Sequence, residues 1–207
     1  MKKLLLLLAV ASPVAAQVDQ AAKWTAPAGW TVSLDKPGNA ADTKFVTMGS
    51  GYHVTSGPAA IYYNAATQGT GVFTANVSFG VRNGGTMGHP EGYGLFIGGT
   101  DLNDATKQQY FYFLVRGDGK FFFAHRAGAE VHKLVDWTEN AAVNKSNENG
   151  AVSQVLSVQV AADSLHFSAN GKRVHSVAKG QLKTDGQVGL RVNHALNLHI
   201  SAFEVKQ

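Results

Sequence analysis

Residues 108–126 read QQYFYFLVRGDGKFFFAHR, two aromatic runs on either side of Gly117-Asp118-Gly119. Aromatic and β-branched side chains suit a pleated, half-buried surface, and the Gly-Asp-Gly interruption has turn chemistry. A three-residue loop with a glycine bulge predicts a hairpin with Arg126 opposite Tyr110. In that register Phe111, Phe113, Val115, Phe121 and Phe123 share one face, and Tyr110, Tyr112, Leu114 and Arg116 share the other. A two-residue Asp118-Gly119 turn would flip the second strand. The first register gathers the phenylalanines and gives Arg126 a polar side.

The same period of two extends outward in both directions. Residues 71–82 alternate Phe73, Ala75, Val77, Phe79 and Val81 against Thr74, Asn76, Ser78 and Arg82, so one face is core and the other wet or ligand-facing. GYGLFIGG follows at 92–99. Residues 152–177 read as a meander turning at Asn170-Gly171, the strongest hairpin signal in the chain. Asp185-Gly186 opens a strand whose Val188, Leu190 and Val192 point to the core and Arg191 and Asn193 outward. The last strand, 196–205, switches face between Ile200 and Phe203 and predicts a bulge. Shorter strands are expected at 29–32, 44–47, 52–55 and 59–63. Residues 84–92 form the loosest loop, a candidate rim of a binding site. Short strands at regular spacing, with no helical period of any length, predict an all-β antiparallel sandwich.

The first residues set the expected compartment. Lys2 and Lys3, the apolar run 4–11 and Val14-Ala15-Ala16 have the pattern of a secretory signal over residues 1–16. The run is too short for a membrane span, which needs roughly 20 residues. A periplasmic or secreted protein is expected, with a polar N-terminal lead at 17–28 and one sandwich domain over 29–207. Cys is absent, which excludes thiol chemistry and thiolate metal sites and leaves stability to the core. The formal charge of +4 falls to +2 without Lys2 and Lys3, and no basic cluster stands out, so no nucleic-acid partner is expected.

Several strings together resemble one superfamily. They are Gly94-Leu95-Phe96, the polar turn and Tyr-rich strand at 101–112, Asp118-Gly119, residues 156–174 and Gly186 to Val192. The chain over 73–205 resembles the concanavalin-A-like lectin/glucanase superfamily. Within it, the chain is most similar to laminin-G-like and 3-keto-disaccharide-hydrolase-like bacterial domains. It departs from the usual Gly-Leu-x-Phe in lacking the spacer. The resemblance implies a jelly roll of two curved antiparallel sheets with a ligand-sized concave face. The matching residues are core and turn positions, so it speaks for fold more than for activity.

Glycoside hydrolysis needs two carboxylates about 5 to 10 Å apart across the bond. The superfamily's glucanases take them from one strand as Glu-x-Asp-x-x-Glu, and this sequence has no Glu-x-Asp. The five glutamates, Glu91, Glu130, Glu139, Glu148 and Glu204, read as solvated turn residues, with a loop pair such as Glu91 and Asp101, Asp104 or Glu139 left open. The aromatic and arginine set is more suggestive. Tyr110, Tyr112, Arg116, Arg126 and Trp137, with Arg191, Asn193 and Arg82 as further candidates, offer an apolar wall and a few polar groups, as a small-ligand site requires. Sugars stack on Trp and Tyr, and guanidiniums bond hydroxyls or a carboxylate.

Eight histidines invite a metal reading, but none forms His-x-His or His-x3-His, and zinc is not expected. Asp101 and Asp104 in GGTDLNDAT could hold a structural calcium with backbone oxygens, or cap a polar turn. No other cofactor is expected. The leading function is non-catalytic recognition of a saccharide or glycoconjugate on the concave face. A glycosidase-like hydrolase or lyase and a structural, protein-binding domain are the other two readings.

Overall fold

Sixteen strands carry out this alternation: β1 (Trp30–Leu34), β2 (Lys44–Met48), β3 (Gly51–Thr55), β4 (Ala60–Gly69), β5 (Phe73–Asn83), β6 (Gly85–Thr86), β7 (His89–Pro90), β8 (Tyr93–Thr100), β9 (Gln109–Arg116), β10 (Lys120–Ala127), β11 (Glu130–Glu139), β12 (Val152–Val160), β13 (Ser164–Ala169), β14 (Lys172–Ala178), β15 (Gly186–Val192) and β16 (Asn197–Lys206). The structure is a computed structural model and describes residues 25–35, 42–83, 85–86 and 89–207. The secretory signal expected at 1–16 and most of the lead at 17–28 lie outside the described residues. Among the described residues no helix is long and apolar enough to cross a membrane.

Two seven-stranded antiparallel sheets form the sandwich. The first runs β1-β4-β15-β8-β9-β10-β11 and the second β14-β13-β12-β5-β16-β3-β2. Their inner faces meet in one apolar cluster that includes Phe113, Phe123, Val77, Leu156, Leu190 and Ile200. Phe167 of the second sheet reaches across to Phe123 at 4.4 Å and Phe113 at 5.2 Å between ring centres. Each such side chain contributes about 1.5–3 kcal/mol by leaving water.

The 108–126 hairpin has the expected register. Arg126 pairs with Tyr110 and Lys120 with Arg116, and Gly119 takes a φ of 84° in the loop. At the other hairpin Asn170 and Gly171 have φ of 52° and 77°, the pair of positive values a type I′ turn requires. The ladder between β16 and β5 shifts between Ile200 and Ala202, where the face switch was expected.

Three elements differ from expectation. β4 continues to Gly69 rather than ending near Tyr63, because β15 pairs along its polar second half through a shift between Gln187 and Gly189. The loop at 84–92 contains a two-stranded ribbon, β6 with β7. β11 has no counterpart in the sequence reading. It is an edge strand, mostly exposed on both sides, and its EVHKLVDWTE breaks alternation with charges. Charged, irregular edges discourage pairing with another chain.

Candidate functional site

The outer face of the first sheet should need only to be wetted. Instead it carries a second apolar cluster, separate from the core. Ile61, Tyr63, Phe96, Leu102, Tyr110, Tyr112, Leu114, Phe122 and Ala124 are buried there, with Trp137 packed against them. Simple alternation along β4, β8, β9 and β10 puts them on one side. Gly189 makes room for this floor: a Cβ there would lie 2.5 Å from the Phe96 ring.

Charge is built onto the floor. Arg191 of β15, 6% exposed, grips Asp35 with both terminal nitrogens; Nη1 meets Oδ1 and Nη2 donates to Oδ2 at 2.5 Å. Nη1 also donates to the Tyr110 hydroxyl at 3.3 Å. The guanidinium lies 5.8 Å from the Tyr112 ring centre. Arg126 joins the same carboxylate, with Nη1 3.6 Å from Asp35 Oδ2, while its Nε donates to the Gly128 carbonyl at 2.7 Å. Burial pushes the Tyr112 phenol up to about 12 and raises Tyr110 as well, so both hydroxyls stay protonated at neutral pH.

A second group lies toward the β11 edge. Trp137 stacks on Phe122 at 4.9 Å and 28° between planes. The Arg116 guanidinium sits 4.4 Å over the indole, and Arg116 Nε donates to Asp118 at 2.8 Å. A Cβ on Gly92 would come 2.9 Å from Trp137 Cη2, so glycine there lets the indole lie over the start of β8. Trp137 is half-buried and retains an open surface.

At one end of the face a cleft of about 610 Å³ is lined by Thr31, Tyr63, Asp101, Asn103 and Gln187 among others. A smaller one of about 260 Å³ lies by Gln109, Tyr110, His125 and Lys183. Both mix an aromatic wall with hydrogen-bonding side chains.

The sequence candidates therefore separate into groups. Tyr110, Tyr112, Arg126 and Arg191 come together around Asp35, and Arg116 pairs with Trp137. Tyr110 and Tyr112, at 1% and 6% exposure, are floor rather than stacking surfaces, and Arg191 points outward as expected but is buried on that face. Arg82 belongs to β5 of the second sheet and is not part of this face. Asp101 lines the larger cleft, whereas Asp104 serves the turn. Asp104 Oδ1 accepts from the Thr106 amide at 2.9 Å and the Thr106 hydroxyl at 2.6 Å, and Lys107 lies 3.4 Å from Oδ2. Glu91 is buried rather than solvated.

Asp35 was not read from the sequence. Its signal was parity: Val32 points to the core, so 31, 33 and 35 point outward. Its partner is set by the order β1-β4-β15, which no local pattern encodes.

Neither a family model nor a curated protein matches the chain. Solved structures do. The carbohydrate binding module CBM66 from Bacillus subtilis superposes with a TM-score of 0.65 at 12% identity, covering 86% of this chain and 96% of that one. The exoplasmic/lumenal domain of VIP36, in its Ca2+/Man-bound form, gives 0.59 at 10% identity over 86% and 83%. A GH16 protein of the Bacteroides ovatus mixed linkage glucan PUL, in complex with its G4G4G3G product, gives 0.57 at 12% identity over 88% and 97%. The fold is the concanavalin-A-like sandwich. At these identities the likeness is one of architecture.

Proposed function

We propose that this protein is an exported carbohydrate-binding domain that holds a saccharide or glycoconjugate on the outer face of its first sheet. The observation that carries the reading is the aromatic floor with Arg191 and Arg126 sharing Asp35, beside the half-open Trp137 under Arg116. The part of Trp137 left exposed beside Phe122 and Arg116 offers an aromatic surface to a sugar ring. Arg126, with Asp35 already shared by Arg191, is the group placed to meet an electron-rich hydroxyl or a carboxylate of the ligand. Binding is favoured over hydrolysis because Asp35 is clamped by two guanidiniums and Asp118 by Arg116, so both carboxylates serve as counter-ions. A shallow face buries little ligand, and affinity should be weak. Calcium at Asp101 and Asp104 is part of the proposal, and would have to draw Asp104 away from Thr106.

The test is a glycan array of residues 17–207, in calcium and in EDTA, beside Arg126→Ala. Selective binding that the variant loses supports the reading. Binding lost in EDTA and restored by calcium but not by zinc assigns the ion to the 101–104 turn. No glycan bound in either condition overturns the saccharide reading and favours a protein partner.

A further inference from the structure

Three ligand-type side chains meet at the end of the first sheet, from positions 105 residues apart at the extremes. His89 lies on β7, Glu91 two residues before β8, and His194 two residues after β15. The strands β8 and β15 pair, and the ladder continues past their ends through the Asn193 amide donating to the Gly92 carbonyl at 2.9 Å. That bond fixes the residues flanking it, Glu91 and His194, beside each other.

Glu91 Oε1 stands 2.9 Å from His89 Nε2 and 2.9 Å from His194 Nε2, and all three ligand atoms lie within 4.8 Å of one another. The carboxylate is almost enclosed, its side chain 5% exposed, while the two imidazoles are 73% and 54% exposed. Oε1 is nonetheless buried with no hydrogen-bond partner. The close nitrogens are therefore not aligned to donate to it. Donor atoms aimed at a common centre, rather than at one another, have this geometry. A buried carboxylate oxygen left unsatisfied is costly, and a cation at that centre would satisfy it. With bonds of about 2.0–2.2 Å to nitrogen and oxygen, tetrahedral ligand atoms stand roughly 3.3 Å apart. Each imidazole nitrogen, at 2.9 Å from Oε1, needs to move away from it by only a few tenths of an ångström.

We propose that His89, Glu91 and His194 form a binding site for a divalent transition metal of the zinc class. Two imidazoles and one carboxylate suit zinc better than calcium or magnesium, which take all-oxygen shells. Three protein ligands leave the fourth position to solvent or to a ligand oxygen, on the exposed imidazole side. Gly92, the residue after Glu91, lies under the Trp137 ring, so the site rims the aromatic face. The ion would also tie the β6–β7 ribbon, through His89, to the turn after β15. Among the described residues this is the one group of three His, Asp or Glu side chains with converging ligand atoms.

The test is titration of chelator-treated protein with Zn2+ alone, and with Co2+ as a visible probe. One Zn2+ per chain is expected, with tetrahedral Co2+ absorption bands and a Tm raised by about 5–10 °C at a hundredfold excess over Kd. His89→Ala and His194→Ala, both at exposed side chains that the fold does not need, should weaken binding at least tenfold. His132→Ala, outside the cluster, should leave it unchanged, with circular dichroism checking that each variant folds. No stoichiometric Zn2+ binding by the parent protein, or equal binding by the His89 and His194 variants, would overturn the assignment.

Discussion

The two outer faces of the sandwich obey the same alternation and end in opposite states. On the second sheet the outward residues of β5 and β12 are small and polar, such as Thr74, Ser78, Ser153 and Gln159, and even Val155 is 49% exposed. On the first sheet the outward residues are Tyr110, Tyr112, Leu114 and Phe122, all buried, with Arg191 buried among them. A sandwich needs one buried face per sheet. The second buried face goes beyond what the sandwich itself requires, and a buried ion pair is weak evidence for stability as its purpose. This difference is what the proposed ligand-binding surface rests on.

Substitutions at matched positions can break this contrast. The largest effect is expected at Arg191→Ala, which takes from Asp35 its two-nitrogen partner and from the Tyr110 hydroxyl its guanidinium donor. Urea unfolding should show a loss of about 3–5 kcal/mol, against less than about 0.5 kcal/mol for the exposed Arg82→Ala on the second sheet. Equal losses would mean that the outer face is not a second packed layer. Next, Phe122→Ala should cost about 3 kcal/mol by opening a cavity beneath Trp137, and Val155→Ala less than about 0.5 kcal/mol. Trp137→Ala should cost only about 1 kcal/mol, from its stacking and the Arg116 contact, while removing glycan binding.

Titration sharpens the contrast with smaller effects. The Tyr112 phenol, pushed up to about 12 by burial, favours the folded state while it is protonated. Its contribution is full below pH about 10, the unfolded value, and is lost as pH rises through about 12. Ultraviolet titration of the parent protein against Tyr112→Phe reads it directly, and a missing tyrosine titrating near pH 10 would contradict its burial. On the second sheet His53 pairs across the ladder with His199, and burial, then His199, lower its pKa. Its contribution is present above the ordinary histidine value of about 6.5 and is lost as pH falls through the lowered one. NMR titration of its ring protons should show the lowered midpoint, rising toward the ordinary value in His199→Ala.

Local pattern carried the strands, their faces and two turns, because alternation and turn chemistry act over a few residues. It also put Tyr110, Tyr112, Arg116 and Arg126 on one side of one hairpin. β11 escaped because edge strands are written in charges rather than alternation. Asp35 and the His89–Glu91–His194 group escaped for another reason: each depends on which distant strands become neighbours. His-x-His spacing reveals only ligands from one strand, and these come from two distant segments, 89–91 and 194.

The most direct measurement compares glycan binding by the parent protein, Trp137→Ala and Arg82→Ala on one array. Binding retained by Arg82→Ala and lost by Trp137→Ala is the predicted result. Binding retained by Trp137→Ala, or lost with Arg82→Ala, would contradict the claim that the outer face of the first sheet is the ligand-binding surface.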